Sequence, residues 1–186
     1  MFSSQPWRYQ EALCALQRGE LIAYPTEAVW GLGCDPYNGA AVSHLLALKQ
    51  RPVGKGLILV AAHLQQLGSL AEALDPAARA RLQRETAMPT TWLLPNDGSI
   101  PGWISGAHTS VAIRISNHPI VRSLCQLYGG MLVSTSANRS GQQPARSALR
   151  ARMLFGREVA AYVAGPTSGA TQPSRIIDLA SGRQLR

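Results

Sequence analysis

Cysteine is scarce in this sequence, and its spacing argues against two classes of small protein. The three cysteines, Cys14, Cys34 and Cys125, are odd in number and far apart, and none forms a C-x-x-C pair. The histidines also lack the spacing of a metal-binding cluster. We therefore predict no disulfide framework and no resident metal, and we expect ordinary structural roles for the four histidines, His44, His63, His108 and His118.

Long apolar runs are missing as well. No stretch approaches the roughly 20 residues of a membrane span, and residues 1–13 have no apolar segment behind a basic one, so no secretory signal is predicted. These absences favour a cytoplasmic protein without membrane contact. A chain of 186 residues can bury a core without disulfides, and its length predicts one domain over residues 1–186.

The common nucleotide and hydrolase signatures are also absent. The chain has no G-x-x-x-x-G-K-[ST] loop and no G-x-S-x-G turn. Gly31 and Gly33 begin a G-x-G-x-x-G pattern, but Pro36 takes the place of its last glycine. A P-loop enzyme or an α/β-hydrolase is therefore not indicated, and a dinucleotide-binding fold is disfavoured.

Acidic residues are few compared with basic ones. Ten Asp and Glu face eighteen Lys and Arg, which gives a formal net charge of +8 and an isoelectric point near 10.1. Such a surplus favours anionic partners such as nucleotides or nucleic acid, although it also serves solubility.

Strand-like and helix-like segments alternate along the chain. Residues 9–18 have apolar positions at helical spacing, Asn38 is placed to cap a helix that Pro52 ends, and Asp75 and Pro76 open another. Residues 27–38 read as a loop or an irregular hairpin. This alternation predicts an α/β fold with one twisted, open, mixed sheet and flanking helices. Strands are expected at 20–26, 55–62, 90–95, 110–116, 131–135, 159–165 and 174–180, and further helices at 120–130 and 145–158.

Three cations cluster where a helix ends and a strand begins. Lys49, Arg51 and Lys55 lie within seven residues in "LKQRPVGKGLILV". The helix dipole alone would explain Lys49 and Arg51, but it explains Lys55 less well because Pro52 intervenes. A polyphosphate would relieve the repulsion among the three charges, with arginine giving forked contacts and lysine a point charge.

Polar residues gather at the ends of other predicted strands. "STSANRSGQQPA" follows the apolar "MLV", Thr26 and Glu27 follow "ELIAYP", and Arg114 alternates with apolar residues in "SVAIRIS". In open α/β sheets ligands bind at strand ends. Arg114 could face solvent or hold a carboxylate in a cleft, and the pattern alone does not decide.

These segments resemble one family. "AYPTEAVWGLGCDP", "LKQRPVGKGLILV", "SVAIRIS", "LVSTSANRSG" and "PSRIIDL" are similar, in that order, to segments of the short YrdC/TsaC threonylcarbamoyl-AMP synthases. The similarity covers nearly the whole chain from about residue 10. It implies a YrdC-like fold with a large basic cavity. It also implies an enzyme, a nucleotidyltransferase, that joins ATP, L-threonine and bicarbonate into L-threonylcarbamoyladenylate with release of pyrophosphate.

The resemblance also implies roles for individual residues. Lys49 and Arg51 would be the catalytic cations and would line the triphosphate region with Lys55. Threonine would be held by Thr26, Arg114 and Ser134. The remaining nucleotide contacts would come from Ser110, Ser136, Asn138, Ser174 and Arg175. Mg²⁺ would arrive with ATP, and no tightly bound cofactor is implied.

The family's product is used on tRNA. The resemblance implies contact with tRNA and downstream threonylcarbamoyl transferase proteins that modify the adenosine next to the anticodon. One departure stands out: relatives have W-P-G-P-[TV]-T where this chain has "TAMPTT", so that Thr86, Ala87 and Met88 replace the Trp-Pro-Gly part. This difference places substrate affinity in doubt more than the fold.

The alternative function is a non-catalytic module for double-stranded RNA or tRNA. Arginines recur on two predicted helices and could contact phosphates, with an affinity that falls steeply with salt. Helical arginines are also common on solvated surfaces, and aromatic stacking patterns typical of RNA-binding domains are absent. The arginines concerned are Arg79, Arg81 and Arg84 on one helix and Arg146, Arg150, Arg152 and Arg157 on or beside the other.

Overall fold

Short strands and helices alternate from one end of the described chain to the other. The computed structural model describes residues 7–84, 86 and 88–185. The strands are β1 (Ile22–Pro25), β2 (Trp30–Gly33), β3 (Ile58–Ala61), β4 (Thr90–Pro95), β5 (Ser110–Ile115), β6 (Leu132–Ser136), β7 (Ala161–Tyr162) and β8 (Arg175–Asp178). The helices are α1 (Trp7–Gln17), α2 (Gly39–Lys49), α3 (Ser69–Glu72), α4 (Pro76–Gln83), α5 (Gly102–Ser105), α6 (Pro119–Tyr128) and α7 (Ala148–Phe155), with 3₁₀ turns at 53–55, 64–67 and 156–158.

Within these residues, the eight strands form one sheet in the order β7-β1-β2-β6-β3-β5-β4-β8. The pairs β1–β7, β3–β5 and β4–β8 are parallel, and the other neighbours are antiparallel. The predicted α/β fold with a mixed sheet is confirmed. The segment 27–38 takes the hairpin form, because β2 pairs with β1 in an antiparallel register.

Each face of the sheet packs against its own set of helices. On one face, Leu59 and Ile113 belong to a core cluster with Leu45 of α2. On the other face, Val60 and Leu132 pack with α1 and α6. Successive side chains of a strand point to opposite faces, so a continuous apolar strand such as β3 serves both clusters. Full burial of each such aliphatic side chain contributes about 1.5–3 kcal/mol.

Local signals fix the helix starts as predicted. The side chains of Asn38 and Asp75 accept hydrogen bonds from the amides of Ala41 (3.0 Å) and Ala78 (2.7 Å). Helix α2 ends at Lys49 and is capped by the next residue, Gln50, whose φ of 53° is left-handed. Several predicted elements are shorter than expected, most of all the strand predicted at 159–165, which is reduced to Ala161–Tyr162. The strand expected from residue 55 begins at 58 after a 3₁₀ turn, and the helix expected from 145 begins after Ser147, whose hydroxyl caps it.

Two sequence predictions fall partly outside the described residues. Residues 1–6 belong to the segment in which no secretory signal is predicted, and Ala87 belongs to the altered loop. None of the described helices is both long and apolar enough to cross a membrane.

Candidate active site

A cleft opens where the polar strand ends meet. Its first chamber has a volume of about 220 Å³ and lies beside the end of β1, the start of β2 and the end of β6. Six residues predicted for the site line this chamber: Thr26, Arg51, Arg114, Ser134, Ser136 and Ser174. Residues from five separate segments of the sequence therefore meet at one place.

Arg114 lies in the cleft rather than in open solvent. Its partner Val60 in the β3–β5 register belongs to the core cluster beneath α1 and α6, and Ser134 follows Leu132 on that same face. The Arg114 side chain is only 11% exposed. The strand pattern left open whether Arg114 faces solvent or a cleft, and the structure places it in the cleft.

Glu27 forms an ion pair with Arg114 inside the cleft. Its Oε2 lies 3.5 Å from Arg114 Nη1, and its Oε1 accepts a 2.6 Å hydrogen bond from the Ser116 hydroxyl. Burial by itself would raise the pKa of Glu27, but Arg114 and the Ser116 hydrogen bond outweigh it and lower the pKa. Glu27 is therefore a carboxylate at neutral pH.

Lys49 connects the end of α2 to the polar segment after β6. Its Nζ donates hydrogen bonds to the backbone carbonyls of Ser136 and Asn138, the second at 2.8 Å. The residue is only 3% exposed. Burial, together with the neighbouring charge of Arg51, lowers the pKa of Lys49 to about 8. Lys49 supports the wall of the cleft and is not among the residues that line the first chamber.

Asn138 is also held within its own loop. The Ser136 hydroxyl donates to Asn138 Oδ1 at 2.5 Å, and Asn138 Nδ2 donates to the carbonyls of Arg139 and Gln142. Ser136 lines the first chamber, whereas Asn138 does not. The geometry thus gives Asn138 the position of a residue that shapes the loop.

Arg51 folds over the turn that follows α2. Its Nη2 donates to the Gly56 carbonyl at 2.8 Å, while the side chain still lines the first chamber. Lys55 lies in that turn with its side chain exposed, outside the chamber lining. Of the three clustered cations, Arg51 alone reaches the first chamber of the described structure.

Of the other predicted nucleotide contacts, Ser174 lies at the first chamber, whereas Arg175 and Ser110 do not line it. Ser174 is buried at the chamber wall, where its hydroxyl lies 2.9 Å from that of Thr91. Arg175 follows it but does not line the chamber. Ser110 begins β5, four residues from Arg114, which corresponds to about 13 Å along a strand. The structure therefore does not bring Ser110 to the first chamber.

A second chamber of about 390 Å³ adjoins the first and shares Glu27, Pro89 and Arg114 with it. His118 lies at its wall, is 3% exposed and contacts the Pro166 carbonyl through Nε2 at 3.2 Å. Because a carbonyl only accepts, Nε2 carries the proton. Burial lowers the pKa of His118 despite the nearby carboxylate of Glu27, so the ring is neutral at pH 7.

The altered loop borders this second chamber. Thr86 lines it, and its hydroxyl donates to the Met88 carbonyl at 2.6 Å and lies 3.2 Å from the Thr90 hydroxyl. In this chain, hydroxyl contacts therefore organise the described part of the segment where the resembling family has Trp-Pro-Gly. The consequence for substrate affinity stays a prediction.

No group of three or more His, Cys, Asp or Glu residues within the described chain could hold a metal ion. The charged residues of the first chamber are Glu27, Arg51 and Arg114, and Glu27 is already paired. This donor set fits a magnesium ion that arrives on a triphosphate better than one held by protein carboxylates.

A comparison of the sequence with models of known protein families identifies the family of this chain. The model of the Sua5/YciO/YrdC family, described as "Telomere recombination", matches residues 14–186. The chain belongs to the Sua5/YciO/YrdC family. The match begins at α1 and runs through every strand described above.

Curated relatives in this family are similar over nearly their whole length. A threonylcarbamoyl-AMP synthase of Chromohalobacter salexigens is 51% identical over 179 residues, which are 96% of each chain. A threonylcarbamoyl-AMP synthase of Cellvibrio japonicus is 48% identical over 96% of this chain and 95% of its own.

A solved structure of P. abyssi Sua5 complexed with L-threonine has the same fold. It superposes with a TM-score of 0.88 at 30% identity and covers 98% of this chain. The chain spans 54%, about half, of that longer Sua5 protein.

Sequence reasoning assigned no role to one charged member of the site. The strand pattern presents Glu27 only as the neighbour of Thr26, yet in the fold it is the acidic partner of Arg114. The available signal for Glu27 was its position: it is an acidic residue next to Thr26, a predicted substrate contact, in a strongly basic protein. The contact itself joins positions 87 residues apart (114 − 27).

Proposed function

We propose that this protein is an L-threonylcarbamoyladenylate synthase, a nucleotidyltransferase that acts in the cytoplasm. It converts ATP, L-threonine and bicarbonate into L-threonylcarbamoyladenylate and pyrophosphate. The observation that carries the proposal is the meeting of Thr26, Arg51, Arg114, Ser134 and Ser136 around one chamber. Support comes from relatives about 50% identical that bear the name threonylcarbamoyl-AMP synthase and from the P. abyssi Sua5 complex with L-threonine.

The reaction needs positioning and charge stabilisation more than a protein nucleophile. The amine of threonine takes up bicarbonate with loss of water to give an N-carboxylate. An oxygen of this group attacks the α-phosphate of ATP, and pyrophosphate leaves with the bonding electron pair. Arg51 and the serine hydroxyls at the end of β6 stabilise the developing negative charge. Arg114 binds the threonine carboxylate with its guanidinium group.

Magnesium enters this scheme as part of the substrate. The ion shields the phosphates of ATP, as in other phosphoryl and nucleotidyl transfers. Lys49 supports the site indirectly, because it holds the backbone that carries Ser136 and Asn138. The proposal also includes nucleotide contacts from Lys55, Ser110, Asn138, Ser174 and Arg175. Of these, only Ser174 lines the first chamber. The other four would reach the nucleotide after movement of the surrounding loops.

The product is then consumed on tRNA. In this proposal a separate threonylcarbamoyl transferase passes the threonylcarbamoyl group to the adenosine next to the anticodon, and the basic surface contacts tRNA. The alternative of a non-catalytic RNA-binding module depends most on the exposed arginines Arg84 beside α4 and Arg146, Arg150 and Arg157 around α7. Other arginines have local partners: Arg79 and Arg81 donate to backbone carbonyls, and Arg152 lies 4.5 Å from the centre of the Tyr162 ring.

The deciding experiment is pyrophosphate release from MgATP with threonine and bicarbonate omitted in turn. Wild type should require both, and Arg51→Ala should lose about 10²–10³-fold in rate, as expected for a lost donor to transition-state charge. Arg150→Ala is the matched control, since it removes one exposed arginine away from the cleft. Thermal unfolding of both variants checks their folding.

Pyrophosphate release, combined with an RNA-binding titration at several salt concentrations, separates the two functions. Release that is absent under every condition, together with tight RNA binding that falls steeply with salt, would overturn the synthase proposal and favour the binding module. ATP consumption that ignores threonine and bicarbonate would also overturn it.

A further inference from the structure

Glu27 and Arg114 form the boundary between the two chambers of the cleft. Both residues line both chambers. Their side chains are 12% and 11% exposed, so water screens the pair far less than it screens an ion pair at the surface. The cleft therefore presents one negative and one positive side chain next to each other at its centre.

Each member of this pair keeps an unused hydrogen-bonding atom. Among the described residues, Glu27 Oε2 has no hydrogen-bond donor and Arg114 Nε has no acceptor, and both atoms are buried. The 3.5 Å separation of Oε2 and Nη1 is longer than the 2.7–3.2 Å of a normal hydrogen bond. Buried polar atoms are normally satisfied, so an unused acceptor beside an unused donor points to a ligand that supplies both partners.

The other oxygen of Glu27 is already occupied. Ser116 donates to Oε1 at 2.6 Å and thereby fixes the carboxylate with Oε2 toward Arg114. Ser116 is itself anchored, because its hydroxyl accepts from the His118 amide and its amide donates to the Ala61 carbonyl. The fold therefore anchors one oxygen of Glu27 and leaves the other, Oε2, beside Arg114.

We propose that Glu27 determines the specificity of this site for amino acids: Arg114 binds the substrate carboxylate, and Glu27 Oε2 accepts a hydrogen bond from the substrate amine. The inference rests on the proposed function and adds the amine contact to it. In this proposal the Glu27 carboxylate pivots about the oxygen held by Ser116, so that the buried Oε2 reaches the substrate amine. A zwitterion matches both charges at once, whereas a simple carboxylic acid meets an unpaired carboxylate.

The contact is compatible with the reaction at the amine. The substrate nitrogen keeps an N–H donor after its extra proton passes to solvent water, and it still keeps one after carboxylation. Glu27 can therefore hold the same nitrogen throughout, while the new carboxylate group turns away from it toward ATP. No proton transfer by Glu27 is required.

The test compares two ligands in two proteins. Calorimetric binding in the presence of MgATP is measured for L-threonine and for 3-hydroxybutyrate, which is threonine without its amine. Wild type should strongly prefer threonine. Glu27→Gln keeps an acceptor for Ser116 but loses the charge, so threonine should bind about 10-fold or more weakly, since hydrogen bonds between charged groups are the strong ones. The same variant should bind 3-hydroxybutyrate more tightly, because the repelling carboxylate is gone.

The two ligands should change in opposite directions in Glu27→Gln, which separates a change of specificity from a general loss of binding through misfolding. Equal weakening of both ligands, or unchanged threonine binding in Glu27→Gln, would overturn the inference. Glu11→Gln, on the exposed side of α1, is the matched control. If Glu27→Gln does not fold, Ser116→Ala serves instead: it should weaken threonine several-fold and leave 3-hydroxybutyrate unchanged, and any other pattern counts against the inference.

The proposed function can fail separately. Wild type that binds neither L-threonine nor any other amino acid would contradict the synthase assignment and, with it, the role of Glu27. Wild type that binds threonine while Glu27→Gln binds it equally well would contradict the role of Glu27 alone.

Discussion

The ammonium group of Lys49 lies 2.8 Å from the carbonyl oxygen of Asn138. The resemblance to the YrdC/TsaC enzymes gave Lys49 a place on the triphosphate, but in the described structure its donors are directed at backbone. Ser140 completes the connection, because its amide donates to the carbonyl of Lys49. Helix α2 and the loop after β6 are thus joined in both directions, while the predicted contact of Lys49 with the triphosphate stays a prediction.

The first prediction concerns this anchor. Lys49→Met keeps the length of the side chain but leaves the carbonyls of Ser136 and Asn138 without their donor. Loss of hydrogen bonds to a charged group weakens local structure by about 1.5–3 kcal/mol, so amide hydrogen exchange at Ala137 and Ser140 should be about 10–100-fold faster. Exchange is measured without ligands, with Arg150→Ala as the control. Unchanged exchange together with weaker ATP binding would instead support a direct phosphate contact.

The second prediction is a pH dependence. The pKa of Lys49 is lowered from 10.5 to about 8 by burial and then by Arg51. Between about pH 8 and pH 10.5, Lys49 carries a proton in the unfolded chain but not in the folded protein. The contribution of Lys49 to the free energy of unfolding therefore increases as the pH rises through this range. At about 1.4 kcal/mol per pKa unit, the gain is at most about 3 kcal/mol.

Lys49→Met is the reference for that measurement. The buried thiols of Cys34 and Cys125 act in the opposite direction above about pH 9, because burial raises their pKa to about 12. Both proteins contain these thiols, so the difference between their urea unfolding free energies isolates Lys49. A difference that stays constant from pH 7.5 to 10.5 would contradict the prediction.

The third prediction concerns thiol reactivity. Cys14 is exposed, whereas Cys34 and Cys125 are buried. A thiol with a pKa of about 12 is ~10⁻⁴ thiolate at pH 8, and the thiolate is the reactive form. One thiol should therefore react with a disulfide reagent in the native protein, and all three should react in urea. Cys14→Ser should abolish the native reaction; a second fast thiol in that variant would show that one buried cysteine is accessible.

The sequence predicted those features that depend on neighbouring residues. The caps at Asn38 and Asp75 are local, because each side chain bonds an amide three residues ahead. The mixed sheet and the meeting of Thr26, Arg114 and Ser134 also followed from strand patterns and the resemblance. The short helices α3 and α5 and the 3₁₀ turns at 53–55 and 64–67 were missed, since pieces of three or four residues carry little periodicity.

Contacts between distant positions could not be read from local pattern. The bonds of Lys49 to the β6 loop and of Ser116 to Glu27 join residues 87–89 positions apart. A lysine at a helix end and an acid after a strand have ordinary explanations when each is considered alone. Only the packed fold gives Lys49 two carbonyl acceptors and gives Glu27 a buried arginine.

The fourth prediction tests a close approach beneath the cleft. A Cβ on Gly33 would lie 2.6 Å from the Val133 carbonyl oxygen and 2.8–2.9 Å from the Tyr24 ring and hydroxyl. Tyr24 is fully buried and donates to that carbonyl at 3.2 Å, so neither neighbour can move cheaply. Gly33→Ala should lower the free energy of unfolding by about 1–3 kcal/mol, as overpacking does. Gly102→Ala, whose Cβ would meet nothing within 4 Å, should leave it unchanged or slightly higher. Equal stabilities of the two variants in urea would contradict the prediction and would mean that β2 and β6 can separate enough to admit a methyl group.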